Sequence, residues 1–68
     1  MKQCSGKELV KLLESNGWQL LRVHGSHHIL GKSGSVIRLS VPVHGNKTLK
    51  TGIQHAIMKA AGLTEDDL

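Results

Sequence analysis

The sequence predicts a small α+β fold of order α-β-β-β-α, with a three-stranded antiparallel sheet and both helices on one face. Three observations carry this expectation. Apolar residues recur at helical spacing in two segments, one near each end of the chain. Between them lie three short apolar-rich runs, separated by Gly25-Ser26 and by a turn around Ser33-Gly34. The length of 68 residues suits one domain spanning 1–68, with a small core, because a chain of that size buries only roughly 60% of its unfolded surface.

Ser5 is placed as a helix N-cap, and Glu8 three residues on completes a capping box. Leu9, Leu12 and Leu13 then form an apolar stripe with Val10 beside it. Asn16-Gly17 ends this helix, expected over 6–15, because glycine takes the left-handed cap conformation without penalty. Residues 18–24 (WQLLRVH) read as the first strand and 27–31 (HHILG) as its hairpin partner. A turn over 32–35 leads to the third strand, 36–41 (VIRLSV), which Pro42 ends because proline cannot donate to a ladder. Residues 43–48 read as a loop. Thr48 is the expected N-cap of the second helix, whose buried face would hold Leu49, Ile53, Ala56, Ile57 and Ala60, with Gly62 closing it. Thr64 and the EDDL that follows suit the start of a further helical turn.

Hairpin turns fix register, and register fixes faces. With Gly25-Ser26 as the first loop and Ser33-Gly34 as the second, Leu21, Val23, His28, Leu30, Ile37 and Leu39 share one face, which the helices should cover. Arg22, His24, His27, Ile29, Arg38 and Ser40 share the other. That outer face is expected to carry a row of Arg22, Ile29 and Arg38 beside a row of His24, His27 and Ser40. His28 then points toward the core as a half-buried, hydrogen-bonded histidine. His27 points outward between arginines, as either a solvated or a functional side chain.

Nine Lys and Arg oppose five Asp and Glu, giving a formal charge of +4 and a pI near 9.7. Three of the acids are Glu65, Asp66 and Asp67, so residues 1–64 hold nine bases against Glu8 and Glu14. Such a body favours a polyanionic partner such as nucleic acid or an acidic protein, or else uses its charge for solubility alone. Trp18 is the only aromatic residue, which argues against modules that stack bases on aromatic platforms. Cys4 is the only cysteine, so no internal disulfide forms, as suits a reducing cytosol. No run approaches the roughly 20 apolar residues of a membrane span, and no signal-peptide pattern follows Met1-Lys2.

A metal site is not expected. His24, His27, His28, His44 and Cys4 are suitable ligand types, yet His27 and His28 face opposite ways and no carboxylate lies near the hairpin. Lys47 and Lys50, near the start of the second helix, suit phosphate contacts or a solvated loop. His55 is expected to be solvated.

These residues resemble a family. The opening S-G-K-E-L-V-K-L-L-E-S-N-G-W, the segment R-V-H-G-S-H-H, the loop V-P-V-H-G-N-K-T-L-K-T-G and the ending I-M-K-A-A-G-L-T follow in order from Ser5 to about Leu63, as in HicA-type (YcfA-like) toxins. The resemblance implies a double-stranded-RNA-binding-domain-like fold and a toxin of a toxin–antitoxin pair. It implies an mRNA endoribonuclease (mRNA interferase) that works without ribosomes, arrests translation and growth, and is neutralised by a HicB-type antitoxin covering its active face. The free toxin would be a monomer and the neutralised one a hetero-oligomer, both cytoplasmic. The family's active histidine carries over to His27, the first after Gly-Ser, with His28 as second choice because some members read G-S-N-H. His44 matches the family's loop histidine. Where typical members have R-H-P after the second strand, this chain has Gly31-Lys32-Ser33-Gly34 and so lacks a basic residue there.

The expected chemistry needs no metal or cofactor. The RNA 2′-hydroxyl attacks the adjacent phosphorus, giving a 2′,3′-cyclic phosphate and a free 5′-hydroxyl. Histidine as a residue type serves either as general base or general acid at neutral pH. His27 is assigned the proton transfer, with His24 as the natural second group. Arg22 and Arg38 are assigned to the phosphate, Ser26 to orienting ring or phosphate, and His44, Lys47 and Lys50 to further RNA contacts. The alternatives are a non-catalytic RNA-binding module and an inactive toxin retained for antitoxin binding.

Overall fold

The computed structural model describes residues 2–68. Its order is α1 (Gly6–Ser15), β1 (Gln19–His24), β2 (His27–Gly31), β3 (Arg38–Pro42) and α2 (Thr51–Ala61), followed by a short 3₁₀ turn at Glu65–Asp67. The sheet is antiparallel with strand order β1-β2-β3, as the sequence predicts. No helix among the described residues is long and apolar enough to cross a membrane.

Helix α1 begins where local chemistry dictates. Ser5 Oγ accepts the Glu8 N–H at 3.1 Å, and the Glu8 carboxylate accepts the Ser5 N–H at 2.9 Å. These two bonds satisfy donors that a helix start otherwise leaves open. They also hold the Glu8 carboxyl below its ordinary value: the backbone bond from Ser5 has the largest effect, and its side-chain bond adds to it. The folded state therefore favours the ionised form. The stabilisation is complete above the ordinary carboxylate range and is lost as pH falls through the lowered folded value. Part of the acid-side decline in thermal stability, below about pH 5, should therefore be flattened in Glu8→Gln.

The core is one cluster. Leu9, Val10 and Leu13 of α1 meet Leu30 of β2, Leu39 and Val41 of β3, and Ile57 and Met58 of α2, with Trp18 and Leu49 closing the ends. Trp18 is a plug just before β1 rather than its first residue, and Lys32 Nζ lies 5.8 Å from its ring centre.

Several expectations need correction. In the second hairpin Leu30 pairs with Leu39 and His28 with Val41, two residues on from the expected partners. The slip keeps every face, since side chains alternate with a period of two, but it exchanges Ile37 for Val41 in the core. Val41 becomes fully buried, while Val36 and Ile37 stay exposed in a longer loop. Pro42 is the last residue of β3 rather than a terminator, and it sits on an edge strand, where a missing N–H is tolerated. In β1 the ladder shifts between Leu20 and Arg22, so Leu20 rather than Leu21 opposes Leu30. This bulge sends Leu21 to the outer face, where its Cδ1 would lie 2.7 Å from a Cβ at Gly31. The inner-face residues of β1 are not covered by the helices either: all six residues of the strand are exposed.

Helix α2 starts after Lys50, with no side-chain cap, and Thr48 instead bridges Ser5. Its buried residues are Gln54, Ile57 and Met58; Ile53, Ala56 and Ala60 are exposed and Leu49 is buried outside the helix. The face is rotated because Gln54 turns inward, where the N-terminal segment needs it. Its Oε1 accepts the Cys4 N–H at 3.0 Å and its Nε2 donates to the Lys2 carbonyl at 2.6 Å. Gln54→Leu would leave both backbone groups without their partner. We expect it to lower stability by about 1–3 kcal/mol, read as a lower urea midpoint with an unchanged slope.

Candidate functional site

The turn that carries the histidines follows from its residues. Gly25 has φ 61° and Ser26 does not enter the left-handed region, as in a two-residue turn with glycine at its first central position. His24 and His27 therefore oppose each other on the first rung, and Val23 opposes His28 on the second.

On the outer face the rungs read His24–His27–Pro42, then Arg22–Ile29–Ser40, then Gln19–Gly31–Arg38. The expected rows are thus offset on the β3 side by one rung. His27 is exposed at the centre of the first rung, with Arg22 and Ser40 diagonal to it on either side. Diagonal neighbours lie roughly 7–8 Å apart, within reach of a long side chain. Ser40 Oγ lies 3.2 Å from His27 Nδ1. If Nδ1–H donates to the hydroxyl, Nε2 presents a lone pair in the neutral ring and suits a general base, or an N–H in the imidazolium and suits a general acid. If the hydroxyl donates, the ring is neutral and its Nε2–H can only donate a hydrogen bond. Either way the ring is exposed and Nδ1 is the nitrogen engaged.

Arg38 does not flank His27. It stands two rungs away, over the bare Cα of Gly31, and its Nη1 donates to the Ser35 and Ile37 carbonyls at 3.3 and 3.1 Å. No hydrogen bond of its other donors is formed among the described residues, and it is a neighbour of the β2–β3 loop rather than of the histidine pair. His28 is half-buried on the inner face as expected. The hydrogen bond expected of it is missing at Nδ1, which is buried and finds no partner among the described residues. Ser26 is half-buried, and its carbonyl accepts the Val43 N–H at 2.7 Å, which ties the turn to the end of β3.

His44, Lys47 and Lys50 come together. They line one groove with Pro42, Thr48, Leu49 and Ile53, and the Lys47 N–H closes the loop onto the His44 carbonyl at 3.0 Å. Pro42 is both a wall of this groove and the rung partner of His27, so the basic loop adjoins the histidine pair. A larger concavity, about 810 Å³, lies elsewhere, between α2 and the C-terminal turn, and includes His55 and Lys59. Among the described residues no three of His, Cys, Asp and Glu gather as metal ligands would. Ser40 and Pro42 are the members of the site not singled out from the sequence for it. The third-strand register, two residues on from the one expected, puts Pro42 rather than Ser40 opposite His27 and leaves Ser40 diagonal to it.

No curated protein matches the chain at a significant level. A family model described as HicA toxin of bacterial toxin–antitoxin matches residues 6–63, which spans both helices and all three strands of a 68-residue chain. The chain belongs to the HicA toxin family of toxin–antitoxin systems.

Proposed function

We propose that this toxin is an endoribonuclease that cleaves mRNA without a metal, arrests growth, and is held in check by a HicB-type antitoxin covering the His27 face. The observation that supports it best is the exposed His27 imidazole, hydrogen-bonded through Nδ1 to Ser40 and directly opposite His24. One imidazole removes the 2′-hydroxyl proton as the oxygen attacks phosphorus. The bond to the 5′-oxygen breaks, and the leaving oxygen takes a proton from the second histidine as its imidazolium, which becomes a neutral imidazole, or from water. His27 Nε2 performs one transfer and His24 is placed for the other. Arg22, one rung away, offsets charge on the phosphoryl oxygens. The groove of His44, Lys47 and Lys50 holds a neighbouring phosphate, and Arg38 contacts RNA farther along the sheet. The site of action is the cytoplasm, where mRNA is translated.

The test is induced expression of wild type and His27→Ala in a host without the antitoxin, following growth and mRNA integrity together. Arrest with mRNA loss in the wild type alone is the expected result. Arrest by both proteins would move the chemistry to His28 or another group. Arrest by neither would favour an RNA-binding module or a silenced toxin. Ser40→Ala should act more gently: purified protein should keep its RNA affinity but lose roughly 10-fold in kcat, the scale of one neutral hydrogen bond that orients a reacting group.

A further inference from the structure

The first strand is left open in a way the sequence does not anticipate. Leu20, Leu21 and Val23 are 41%, 51% and 53% exposed, and β1 pairs only with β2. The backbone polarity of its free edge follows from the ladder. Pro42 has no N–H and the Val43 N–H goes to Ser26, so the polar backbone groups of His27 face β1. One rung on, those of Val23 point away from β2, out of the sheet. Leu20 and Val23 lie on the inner face beside the core, and Arg22 and His24 lie on the outer face. No acidic residue occurs from 15 to 64, while Arg22, Lys32, Arg38, Lys47, Lys50 and Lys59 all do.

We infer that β1 is an acceptor strand for an extended segment of a partner protein in which acidic and apolar residues alternate. Its backbone continues the ladder past Val23. Its apolar side chains cover Leu20 and Val23 and extend the core, and its carboxylates lie beside Arg22 and His24 on the outer face. A second copy of this chain fits less well, because its β1 offers Arg22 no carboxylate and the net charge of +4 repels its like. Natural proteins rarely leave such an edge uncovered. The added strand would occupy Arg22 by charge, one rung from His27, without entering the histidine pair; this competition with RNA rests on the function proposed above, whereas strand addition does not.

The probes are two capped eight-residue peptides, one alternating Glu and Val, the other Lys and Val. Each is titrated into the isotope-labelled full chain while amide hydrogen exchange and backbone shifts are followed. The Glu/Val peptide should slow exchange of the Val23 amide about tenfold at roughly ten times its Kd, the Lys/Val peptide should not, and Arg22→Glu should reverse the preference. Four results would overturn the inference: no protection by either peptide, equal protection by both, shifts confined to the Lys47–Lys50 loop, or protection that grows with chain concentration alone, which would mean a second copy. A wild type that fails to cleave RNA would count against the proposed nuclease and leave these outcomes unaffected.

Discussion

His27→Ala is expected to lower the rate of RNA cleavage by the purified chain by about 10²–10⁴-fold, the usual worth of a positioned proton-transfer group. The side chain is exposed and on the outer face, so its removal takes nothing from the core cluster. Stability should change by no more than about 0.5 kcal/mol, which separates chemistry from folding. RNA affinity should change little, because Arg22 and the lysines supply the long-range attraction. His28→Ala is the informative control. His28 points inward between Val23 and Val41, so its loss should act through packing and lower stability with at most a small effect on the rate. Gel-based cleavage of a defined RNA, with a urea titration of each protein, distinguishes the two. If His28→Ala abolishes cleavage with folding intact while His27→Ala does not, the assignment is reversed.

The histidine pair was legible because a Gly-Ser turn leaves little choice of register, and register assigns every side chain to a face. The capping box at Ser5 and Glu8 was legible for a similar reason: both partners are local. What could not be read was anything decided by packing at a distance. A two-residue slip of β3 leaves the alternation intact, so only the fit of Val41 against the helices selects it over Ile37. Leu20 and Leu21 are chemically alike, and which faces inward depends on where the bulge falls. The phase of α2 escaped hydrophobic periodicity because the residue that sets it, Gln54, is polar and is buried for its hydrogen bonds. Of these errors the slip is the one that reshaped the site: it put Pro42 opposite His27, left Ser40 diagonal to it and carried Arg38 away, while Arg22 stayed opposite Ile29.

Gly6→Ala should be the most damaging methyl group that can be added to this protein. Gly6 opens α1 and is buried, and the Pro42 carbonyl stands where a Cβ would go. A Cβ there would overlap that oxygen and approach Pro42 C at 3.0 Å and Val43 Cα at 3.2 Å. All three atoms are backbone, so no side chain can swing aside; either α1 lifts from the sheet or the end of β3 moves. Overpacking of this kind typically lowers stability by about 1–3 kcal/mol, a large share of what a small domain has. The gain in helix propensity, about 0.5–1 kcal/mol for alanine over glycine, offsets only part of it. Gly52→Ala gives the opposite sign. It lies in α2, and a Cβ there meets nothing within 4 Å, so the propensity gain stands alone and the urea midpoint should rise. The displaced atoms in Gly6→Ala also belong to the site. Pro42 opposes His27, and Val43 holds the Ser26 carbonyl. The variant should therefore lose cleavage beyond its loss of folded protein, even at a temperature where urea titration shows it fully folded. Cleavage that follows the folded fraction alone would show that α1 lifts and the sheet stays put.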